Sequence, residues 1–379
     1  MKLLRILIIP DKFKGTLSAR EAAAAMAAGW HASRPGDRLE QFPMSDGGDG
    51  FGELLSAHVG GQEQRVQTVD AAQRPCESAW WWEAKTRTAI IESARTVGLA
   101  MLPPGQFHPF QLDTRGLGTM LFNAAEKQAR TCIIGIGGSA TNDGGFGLAR
   151  ALGWVFLDGE HNALSRWTEL SRLKRILPPT RGPLFPNVIV AVDVQNPLLG
   201  ARGCSRIYGP QKGLRPEDLP IADAALQQLA RVVRQQFGRD LAKEPGAGAA
   251  GGLGFGLLAF LNAQAAPGFA LFAKRTRLPQ RLRRADLVIT GEGAMDGSTL
   301  MGKGVGELGA LCRQAKVPCI GLCGTVAGHK QLKKLFRSVN GLTDLTTPEE
   351  AKANAAHWLQ ELARREAEKA GVKGLGGGR

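Results

Sequence analysis

Aromatic residues are scarce in this sequence, which has a single tyrosine in 379 residues and 6% aromatic residues in all. The net charge of +14 favours acidic partners, whether small anions or nucleic acid. The basic residues are scattered, however, and none of the basic motifs interleaved with aromatic residues that stack on bases is present. The hypothesis of a nucleic-acid-binding protein without enzymatic activity therefore depends on the charge alone. Nucleic acid is not predicted as a partner.

Cysteine is also sparse, and its spacing excludes the usual zinc motifs. The six cysteines form no Cys-x-x-Cys pair and have no histidine at zinc-ligand spacing. Most of them lie in apolar strand-like or helix-like contexts, where cysteine behaves as a small hydrophobic residue. The sequence therefore predicts a protein of the reducing cytoplasm.

Long hydrophobic runs are missing as well. No uninterrupted apolar run approaches the roughly 18 residues of a membrane-spanning helix, so no membrane partner is predicted. The opening MKLLRILIIPDKF places Lys2 and Arg5 before an apolar patch, as a signal peptide does, but it lacks a cleavage site of small residues. Asp11 and Lys12 interrupt the patch early, which favours a buried first strand.

The length of the chain predicts two domains, because single hydrophobic cores stop growing near roughly 250–300 residues. Continuous apolar runs are typical of strands buried on both faces of a parallel sheet. The run at residues 3–9 is of this kind, and further strands are predicted at residues 39–44, 131–136, 188–192, 286–290 and 317–322. These runs lead repeatedly into glycine-rich loops that carry acids or hydroxyls. Ligands bind beyond the carboxyl ends of such strands, so we expect these loops to converge on one crevice.

A different pattern covers residues 64–91, where shorter and more alternating strands are typical of an antiparallel or mixed sheet. This change predicts a second domain inserted in the first. We expect residues 1–62 and 285–379 to form the first α/β domain, with residues 113–150 as a further candidate segment of it. Residues 63–284 are expected to form the inserted α/β domain.

Two helix starts have the spacing of a capping box. Ser18 and Glu21 precede an alanine-rich segment that favours a helix. Thr347 and Glu350 have the same spacing, with a proline in the first turn. They predict one long last helix that ends near Gly371.

The segment GEGAMDGSTLMGKGV, residues 291–305, nearly has the P-loop pattern G-x-x-x-x-G-K-[ST]. Gly304 stands where that pattern needs a hydroxyl, and Glu292 and Asp296 would repel a phosphate at the entrance of the loop. A strand end that offers two carboxylates, Lys303 and five glycines still suggests a site for phosphate and metal. The alternative is a flexible glycine loop with solvated charges.

The segment GIGGSA, residues 135–140, fits the dinucleotide-binding pattern G-x-G-x-x-[GA], and Asp158 lies near the position of the ribose-binding acid. This motif supports an alternative function, an NAD-dependent oxidoreductase of a small hydroxy acid. Against it, Asn142 and Asp143 follow at once, so that a carboxylate stands where a pyrophosphate should meet the helix.

Further charged residues follow predicted strands. Asp193 follows an apolar run, and a carboxylate at the end of a buried strand is often functional in this architecture. Asp46 begins the segment DGGDG, which could also be a plain turn, and Lys14 could bind an anionic ligand or simply be solvated. Phosphoryl transfer would use such a collection, because it needs cations, carboxylates that hold Mg²⁺ or accept a proton, and glycine backbone close to phosphates.

Seven segments in order resemble the bacterial glycerate kinase family of the glycerate 2-kinase type. They are DKFKGTLSA, PMSDGGDG, IGIGGSATNDGG, VDVQNPLLG, YGPQKG, GAGAAGGLGFG and ADLVITGEGAMDGSTLMGKG, and they extend from Asp11 to Gly304. The resemblance implies ATP-dependent phosphorylation of D-glycerate, most often to 2-phosphoglycerate, with Mg²⁺ as cofactor. It also implies two α/β domains, one a flavodoxin-like doubly wound parallel sheet and the other with a mixed sheet. The active site would lie in the cleft between them.

The resemblance carries roles to individual residues. Asp193 would accept the proton of the acceptor hydroxyl, and Lys14 and Lys303 would neutralise phosphate and substrate carboxylate. Glu292 and Asp296 would hold Mg²⁺, although the roles of Asp193 and Asp296 could be exchanged. The other matched residues are expected to bind substrate or nucleotide, and they are Asp46, Ser139, Thr141, Asn142, Asp143, Gln211 and Lys212.

The chain departs from the family pattern beside these residues rather than on them. The departures are at Lys12, Arg115, Val192, Gln195, Ser298 and Gly304. The resemblance therefore implies that the reaction is preserved and that substrate preference or rate could differ. The predicted partners are D-glycerate and ATP, and a homodimer is left open.

Overall fold

The computed structural model describes residues 3–297, 299–301 and 304–373. The chain divides into two compact units, called here unit 1 (Met1–Asp46 with Phe272–Arg379) and unit 2 (Gly47–Leu271). The sequence predicts boundaries at 62/63 and 284/285 instead, with residues 113–150 as a candidate segment of the first domain. In the structure, residues 113–150 lie in unit 2.

Side-chain packing explains where the two boundaries between unit 1 and unit 2 lie in the structure. The helix Phe51–Val59 belongs to unit 2 because Gly52 lies against the ring of Trp81, where a Cβ atom at position 52 would be 2.5 Å from a ring carbon. The segment after the second boundary belongs to unit 1 because Phe272 contacts Phe42 edge-on, with ring centroids 6.1 Å apart. These contacts involve side chains far apart in sequence, so local composition does not reveal them.

Strands and helices alternate through most of the chain. The strands are β1 (Arg5–Pro10), β2 (Arg38–Gln41), β3 (Gln62–Val69), β4 (Pro75–Glu83), β5 (Thr88–Glu92), β6 (Thr131–Gly135), β7 (Val155–Leu157), β8 (Arg175–Leu177), β9 (Asn187–Ala191), β10 (Gln264–Ala266), β11 (Leu287–Gly291), β12 (Ala294–Met295), β13 (Cys319–Cys323), β14 (Thr325–Val326) and β15 (Ser338–Gly341). The α-helices are α1 (Ala19–Ser33), α2 (Phe51–Val59), α3 (Ala94–Val97), α4 (Gly116–Glu126), α5 (Phe146–Ala151), α6 (Cys204–Tyr208), α7 (Leu219–Phe237), α8 (Ala249–Phe260), α9 (Gly268–Arg275), α10 (Leu278–Leu282), α11 (Gly304–Gln314), α12 (His329–Leu332), α13 (Pro348–Ala353) and α14 (Ala355–Lys373).

Unit 1 contains a five-stranded parallel sheet with the order β15-β13-β11-β1-β2. β1 is buried from Ile6 onward, as its continuous apolar run predicts for a strand covered on both faces. α1 packs on α14 so tightly that a Cβ atom at Gly29 would lie 1.9 Å from the carbonyl oxygen of Gln360. Because β11, β1 and β2 are parallel neighbours, the residues that follow them meet at one edge of the sheet.

The two predicted helix starts have different outcomes. At α1 the Ser18 hydroxyl accepts the N–H of Glu21 (3.2 Å), and the Glu21 carboxylate accepts the N–H of Ser18 (2.8 Å), so this capping box is confirmed. The single long last helix is wrong, because the chain forms α13 and α14 with Asn354 between them. Thr347 accepts the N–H of Glu350 at 3.3 Å, but the Glu350 carboxylate accepts the side chain of Asn354 instead of returning to the cap.

Unit 2 contains a six-stranded mixed sheet with the order β10-β9-β6-β5-β4-β3. β4 runs antiparallel to both of its neighbours, β3 and β5, whereas β5, β6, β9 and β10 are parallel. Trp80 and Trp81 are buried, and the indole N–H of Trp80 donates to Asn123 at 2.9 Å. An α/β protein with one parallel and one mixed sheet is confirmed. In the described part of the chain, none of the helices is both long and apolar enough to cross a membrane.

Candidate functional site

Carboxylates gather at the carboxyl ends of the strands of unit 1. Asp11 directly follows β1, Glu292 directly follows β11, and Asp46 lies beyond β2. Asp11 is buried, and burial, followed by repulsion from Asp46 and by a smaller repulsion from Glu292, raises its pKa to about 7. Glu307 on α11 joins this cluster, because burial and the charge of Asp46 raise its pKa. Such mutual repulsion is relieved when a cation binds among the carboxylates.

Thr299 connects the two residues predicted to bind metal, through the side chain of Glu292 and the backbone of Asp296. Its hydroxyl donates to Glu292 Oε1 at 3.0 Å and accepts the N–H of Asp296 at 3.2 Å. Thr299 is fully buried, and Gly306 lies so close that a Cβ atom there would be 1.8 Å from the Thr299 carbonyl oxygen. The structure therefore brings Glu292 and Asp296 together around one buried hydroxyl. Lys303, a predicted catalytic residue, lies outside the described residues, as does Ser298.

The two lysines after β1 have different surroundings. Lys12 is half-buried beside Asp11, where its backbone N–H donates to Asp11 Oδ1 at 2.7 Å and its charge lowers the pKa of that carboxyl. Lys14, the predicted phosphate-binding lysine, is exposed. Its charge is therefore accessible to a ligand in solution.

Asp193 lies just beyond β9 in unit 2 and is exposed to solvent. Its Oδ1 atom accepts the N–H of Gly268 at 2.9 Å, which fixes one side of the carboxylate. Gly47 packs against the other oxygen, since a Cβ atom at position 47 would lie 2.6 Å from Asp193 Oδ2. Gly47 also has φ of +108°, a backbone conformation that side chains rarely allow. The DGGDG loop is thereby held against Asp193.

The glycines of the segment IGIGGSA serve close backbone packing. A Cβ atom at Gly137 would lie 2.6 Å from the Cα atom of Gly48, and one at Gly138 would lie 1.9 Å from Asp49 Oδ1. The glycine-rich loop after β6 therefore supports the DGGDG loop. This contact gives a reason for glycine at both positions that needs no bound dinucleotide.

Asp143 lies near the start of the short helix α5 and is fully buried. Its carboxylate accepts the backbone N–H groups of Thr114 (2.9 Å), Gly145 (3.1 Å) and Gly147 (2.9 Å), and also the Thr114 hydroxyl (2.7 Å). Burial raises the pKa of Asp143, and these hydrogen bonds oppose that effect. The carboxylate thus occupies the helix start that a pyrophosphate would use in a dinucleotide fold.

The other residues of the SATND run are also buried, and each of Ser139, Thr141 and Asn142 makes at least one hydrogen bond within the protein. Ser139 Oγ lies 2.9 Å from Thr141 Oγ1, and Lys212 Nζ donates to the Thr141 carbonyl oxygen at 2.7 Å. The side-chain amide of Asn142 donates to Ser205 at 3.0 Å, while its Oδ1 atom is buried without a hydrogen-bond partner among the described residues. Gln211, by contrast, is exposed.

Lys212 is a buried cation. Burial lowers its pKa to about 8, and the neighbouring groups Cys204 and Asp143 partly oppose this shift. Lys212 donates a hydrogen bond to the carbonyl oxygen of Thr141. Gly251 lies close to the same oxygen, and a Cβ atom at position 251 would be 1.9 Å from it.

Gly251 belongs to an unusual turn. Residues 250–252 all have left-handed backbone angles within α8, with φ of +55°, +69° and +85°. The turn also accepts the N–H of Gly144 at the Gly251 carbonyl, at 3.1 Å. The segment GAGAAGG, residues 246–252, therefore packs against the SATND loop and supports its backbone.

Comparison with known proteins decides the family. A model described as the glycerate kinase family matches residues 6–370. The chain belongs to the glycerate kinase family.

Similar proteins cover most of the chain. A glycerate kinase from Halalkalibacterium halodurans is 35% identical over 324 residues, 85% of each chain. The glycerate 2-kinase of Escherichia coli strain K12 is 35% identical over 326 residues, 85% of this chain and 86% of that relative. A crystal structure assigned to a glycerate kinase 2 from Salmonella typhimurium LT2 has a TM-score of 0.83 and 32% identity, and it covers 98% of this chain and 99% of that one. The family resemblance is confirmed, and as a glycerate kinase family member the chain is an enzyme.

Sequence reasoning missed Asp11 and Glu307 of the carboxylate cluster in unit 1, and also Glu92, a buried carboxylate at the end of β5 in unit 2. Asp11 and Glu92 each end or directly follow a strand, so the rule that identified Asp193 could have found them. Glu307 lies within a helix, and nothing in its local sequence distinguishes it from a solvated residue.

Proposed function

We propose that this glycerate kinase family member transfers the γ-phosphoryl group of ATP to D-glycerate and that the product is 2-phospho-D-glycerate. The family match over residues 6–370 carries the proposal, and the name of the Escherichia coli relative, glycerate 2-kinase, favours the 2-position. The chemistry needs cations near the phosphates and one carboxylate near the acceptor hydroxyl. The described residues include both kinds of group.

Asp193 is the proposed proton acceptor. Its carboxylate is exposed and is fixed by the Gly268 N–H at 2.9 Å, so a hydroxyl group can approach it from solvent. As the acceptor oxygen forms its bond to the γ-phosphorus, the bond from that phosphorus to the β,γ-bridging oxygen breaks, and ADP leaves. The hydroxyl proton moves to the carboxylate of Asp193.

Glu292 and Asp296 are the proposed ligands of Mg²⁺. Among residues 3–297, 299–301 and 304–373, no three Asp, Glu, His or Cys side chains are arranged as a metal cage. Mg²⁺ is commonly bound through one or two carboxylates together with phosphate oxygens and water, so a pair of carboxylates fits this ion. When bound, the ion supplies charge neutralisation for the phosphates. The Thr299 hydroxyl fixes the Glu292 carboxylate and the backbone N–H of Asp296.

The remaining predicted residues have proposed supporting roles. Lys14 is exposed after β1 and would neutralise phosphate or the glycerate carboxylate, and Lys303 has the same proposed role on the basis of the family pattern. Asp46 would act within the carboxylate cluster of unit 1. The buried residues Ser139, Thr141, Asn142, Asp143 and Lys212 would shape the binding loop, so that backbone atoms of this loop and the exposed Gln211 contact substrate or nucleotide.

The test is a ³¹P NMR spectrum of the enzyme incubated with ATP, Mg²⁺ and D-glycerate. We expect the resonance of 2-phosphoglycerate, and we expect it only when all three components are present. A 3-phosphoglycerate resonance would retain the phosphoryl transfer but overturn the proposed position. The absence of any new phosphoester would overturn the proposed function.

A further inference from the structure

Glu92, at the carboxyl end of β5, carries a buried carboxylate that reaches the DGGDG loop. Glu92 is 4% exposed, and its Oε1 atom accepts the backbone N–H of Gly50 at 2.6 Å. Gly50 precedes α2 and has no side chain, so it cannot cap the helix itself. From a neighbouring strand, Glu92 accepts the N–H of this N-cap residue, as the N3 carboxylate does in a capping box.

The loop that Glu92 holds is the one that packs against Asp193. Gly47, three residues before Gly50, is in contact with Asp193 Oδ2, where a Cβ atom would lie only 2.6 Å from that oxygen. On its other side the loop rests on Gly137, as described above. A shift of Gly50 therefore moves Gly47, and this changes the surroundings of the Asp193 carboxylate.

The second oxygen of Glu92 shows that the carboxylate is retained at some cost. Glu92 Oε2 is buried and has no hydrogen-bond partner among the described residues, although Arg95 Nε lies 3.9 Å away. Burial raises the pKa of Glu92, with a smaller contribution from the charge of Asp49, while the N–H of Gly50 and the charge of Arg95 oppose this shift.

We propose that Glu92 is a positioning residue: it fixes Gly50, so that Gly47 keeps the Asp193 carboxylate in the orientation that accepts the substrate proton. This inference rests on the proposed function, in which Asp193 is the proton acceptor. Glu92 itself touches neither substrate nor cofactor in this account. Its effect on the reaction passes through the backbone of residues 47–50.

The test compares two substitutions of Glu92 with a matched control. Glu92→Ala removes the acceptor of the Gly50 N–H, whereas Glu92→Gln keeps an acceptor oxygen and removes the charge. The control is Glu83→Ala at the opposite end of the β4–β5 hairpin, where Glu83 is 5% exposed and accepts the N–H of Thr86 at 3.2 Å. Both alanine variants remove a buried carboxylate from a backbone N–H, but only one of these carboxylates reaches the loop at Asp193.

We expect Glu92→Ala to lower kcat on the order of 10- to 100-fold, because a small misplacement of a reacting group has effects of this size. The KM for ATP should stay nearly constant, Glu92→Gln should retain most of the activity, and Glu83→Ala should retain kcat. Hydrogen exchange of residues 47–55 should become faster in Glu92→Ala and remain slow in Glu92→Gln. A kcat of Glu92→Ala equal to that of Glu83→Ala, or equal losses in the two Glu92 variants, would overturn the inference.

Two measurements separate this inference from the proposed function. If the wild-type enzyme forms no phosphoglycerate, the proposed function fails, while hydrogen exchange of residues 47–55 still reports whether Glu92 holds the loop. In an Asp193→Asn background, Glu92→Ala should cause little further loss of kcat if it acts through Asp193. A full multiplicative loss in that background would overturn the route through Asp193.

Discussion

Lys212 Nζ donates a hydrogen bond to the carbonyl oxygen of Thr141 at 2.7 Å, and both residues are buried. A buried ammonium group is costly unless it is paired, and burial lowers the pKa of Lys212 to about 8. The lysine is retained where a methionine would fill similar space. We infer that the hydrogen bond to the SATND loop is what this buried charge provides.

Lys212→Met should therefore change the alkaline pH dependence of stability. Because the folded-state pKa is depressed, the contribution of Lys212 is lost below about pH 8 and is regained as the pH rises toward the unfolded value of 10.5. The wild-type protein should gain thermal stability relative to Lys212→Met between pH 7.5 and pH 9.5. The measurement is Tm by circular dichroism at both values. Parallel changes of Tm in the two proteins would show that Lys212 does not titrate in this range.

Asp113 should change the stability of the protein with pH in the opposite direction to Lys212. Burial, followed by the charge of Asp143, raises its pKa to about 6, so its contribution to stability is present below the unfolded value of 3.8 and is lost as the pH rises through 6. Asp113→Asn keeps an oxygen that can accept the N–H of Arg115, which donates to Asp113 at 2.9 Å. We expect this variant to be more stable than wild type at pH 7.5, by about 3 kcal/mol at most, and equal to it near pH 4.

A control for Asp113 is Asp158→Asn, in the same unit. The pKa of the half-buried Asp158 is lowered, chiefly by the backbone N–H of Asn162, so neutralising it should reduce stability at pH 7.5. A Tm of Asp113→Asn at or below that of wild type at pH 7.5 would contradict the prediction. The comparison separates the effect of a buried charge from the general effect of an Asp→Asn exchange.

The positions of the strand ends were predictable from the sequence, whereas the tertiary contacts that fix the loops after them were not. The apolar runs before Asp193 and Glu292 identify both residues as following buried strands. Nothing in the polar segment around Lys212 predicts its burial, which depends on contacts with residues about 70 positions away. Ala250 is similar, because alanine favours ordinary helix, and its left-handed φ of +55° follows from tertiary packing.

Gly251 should tolerate no side chain. Its φ is +69°, and a Cβ atom would lie 1.9 Å from the Thr141 carbonyl oxygen. Gly238 has the same φ of +69° but no atom of the described residues within 4 Å of its Cβ position, so Gly238→Ala isolates the cost of backbone strain. That cost is about 1 kcal/mol, which lowers Tm by about 2–4 °C. Gly251→Ala should lower Tm at least twice as much and should reduce activity, since the SATND loop must move. Equal shifts of Tm in Gly251→Ala and Gly238→Ala would contradict the prediction, because they would mean that the SATND loop accommodates the added methyl group without cost.

Asp193→Asn should lower kcat on the order of 10²- to 10⁴-fold, the usual contribution of a general base. The asparagine oxygen can still accept the Gly268 N–H, so Tm and the KM for ATP should change little. The control is Asp223→Asn, which removes a half-buried carboxylate that pairs with Arg206 at 3.0 Å. Steady-state rates measured by a coupled assay of ADP release check the prediction. A turnover of Asp193→Asn within tenfold of wild type would remove Asp193 from the role of base and would favour the exchanged assignment with Asp296.

Glu292→Gln should change the dependence of the rate on Mg²⁺ more than it changes the fold. The glutamine oxygen can still accept the Thr299 hydroxyl, which donates to Glu292 at 3.0 Å, but a neutral amide is a weaker ligand for a hard cation than a carboxylate. The Mg²⁺ concentration for half-maximal rate, at fixed ATP, should rise on the order of tenfold, as for the loss of one charged ligand. Glu40→Gln in β2 of the same unit removes an exposed carboxylate that pairs with Arg281, and it should leave the Mg²⁺ dependence unchanged. A lower kcat at an unaltered Mg²⁺ dependence would instead assign Glu292 to substrate or loop positioning, because a residue that does not hold the ion cannot be compensated by more of it.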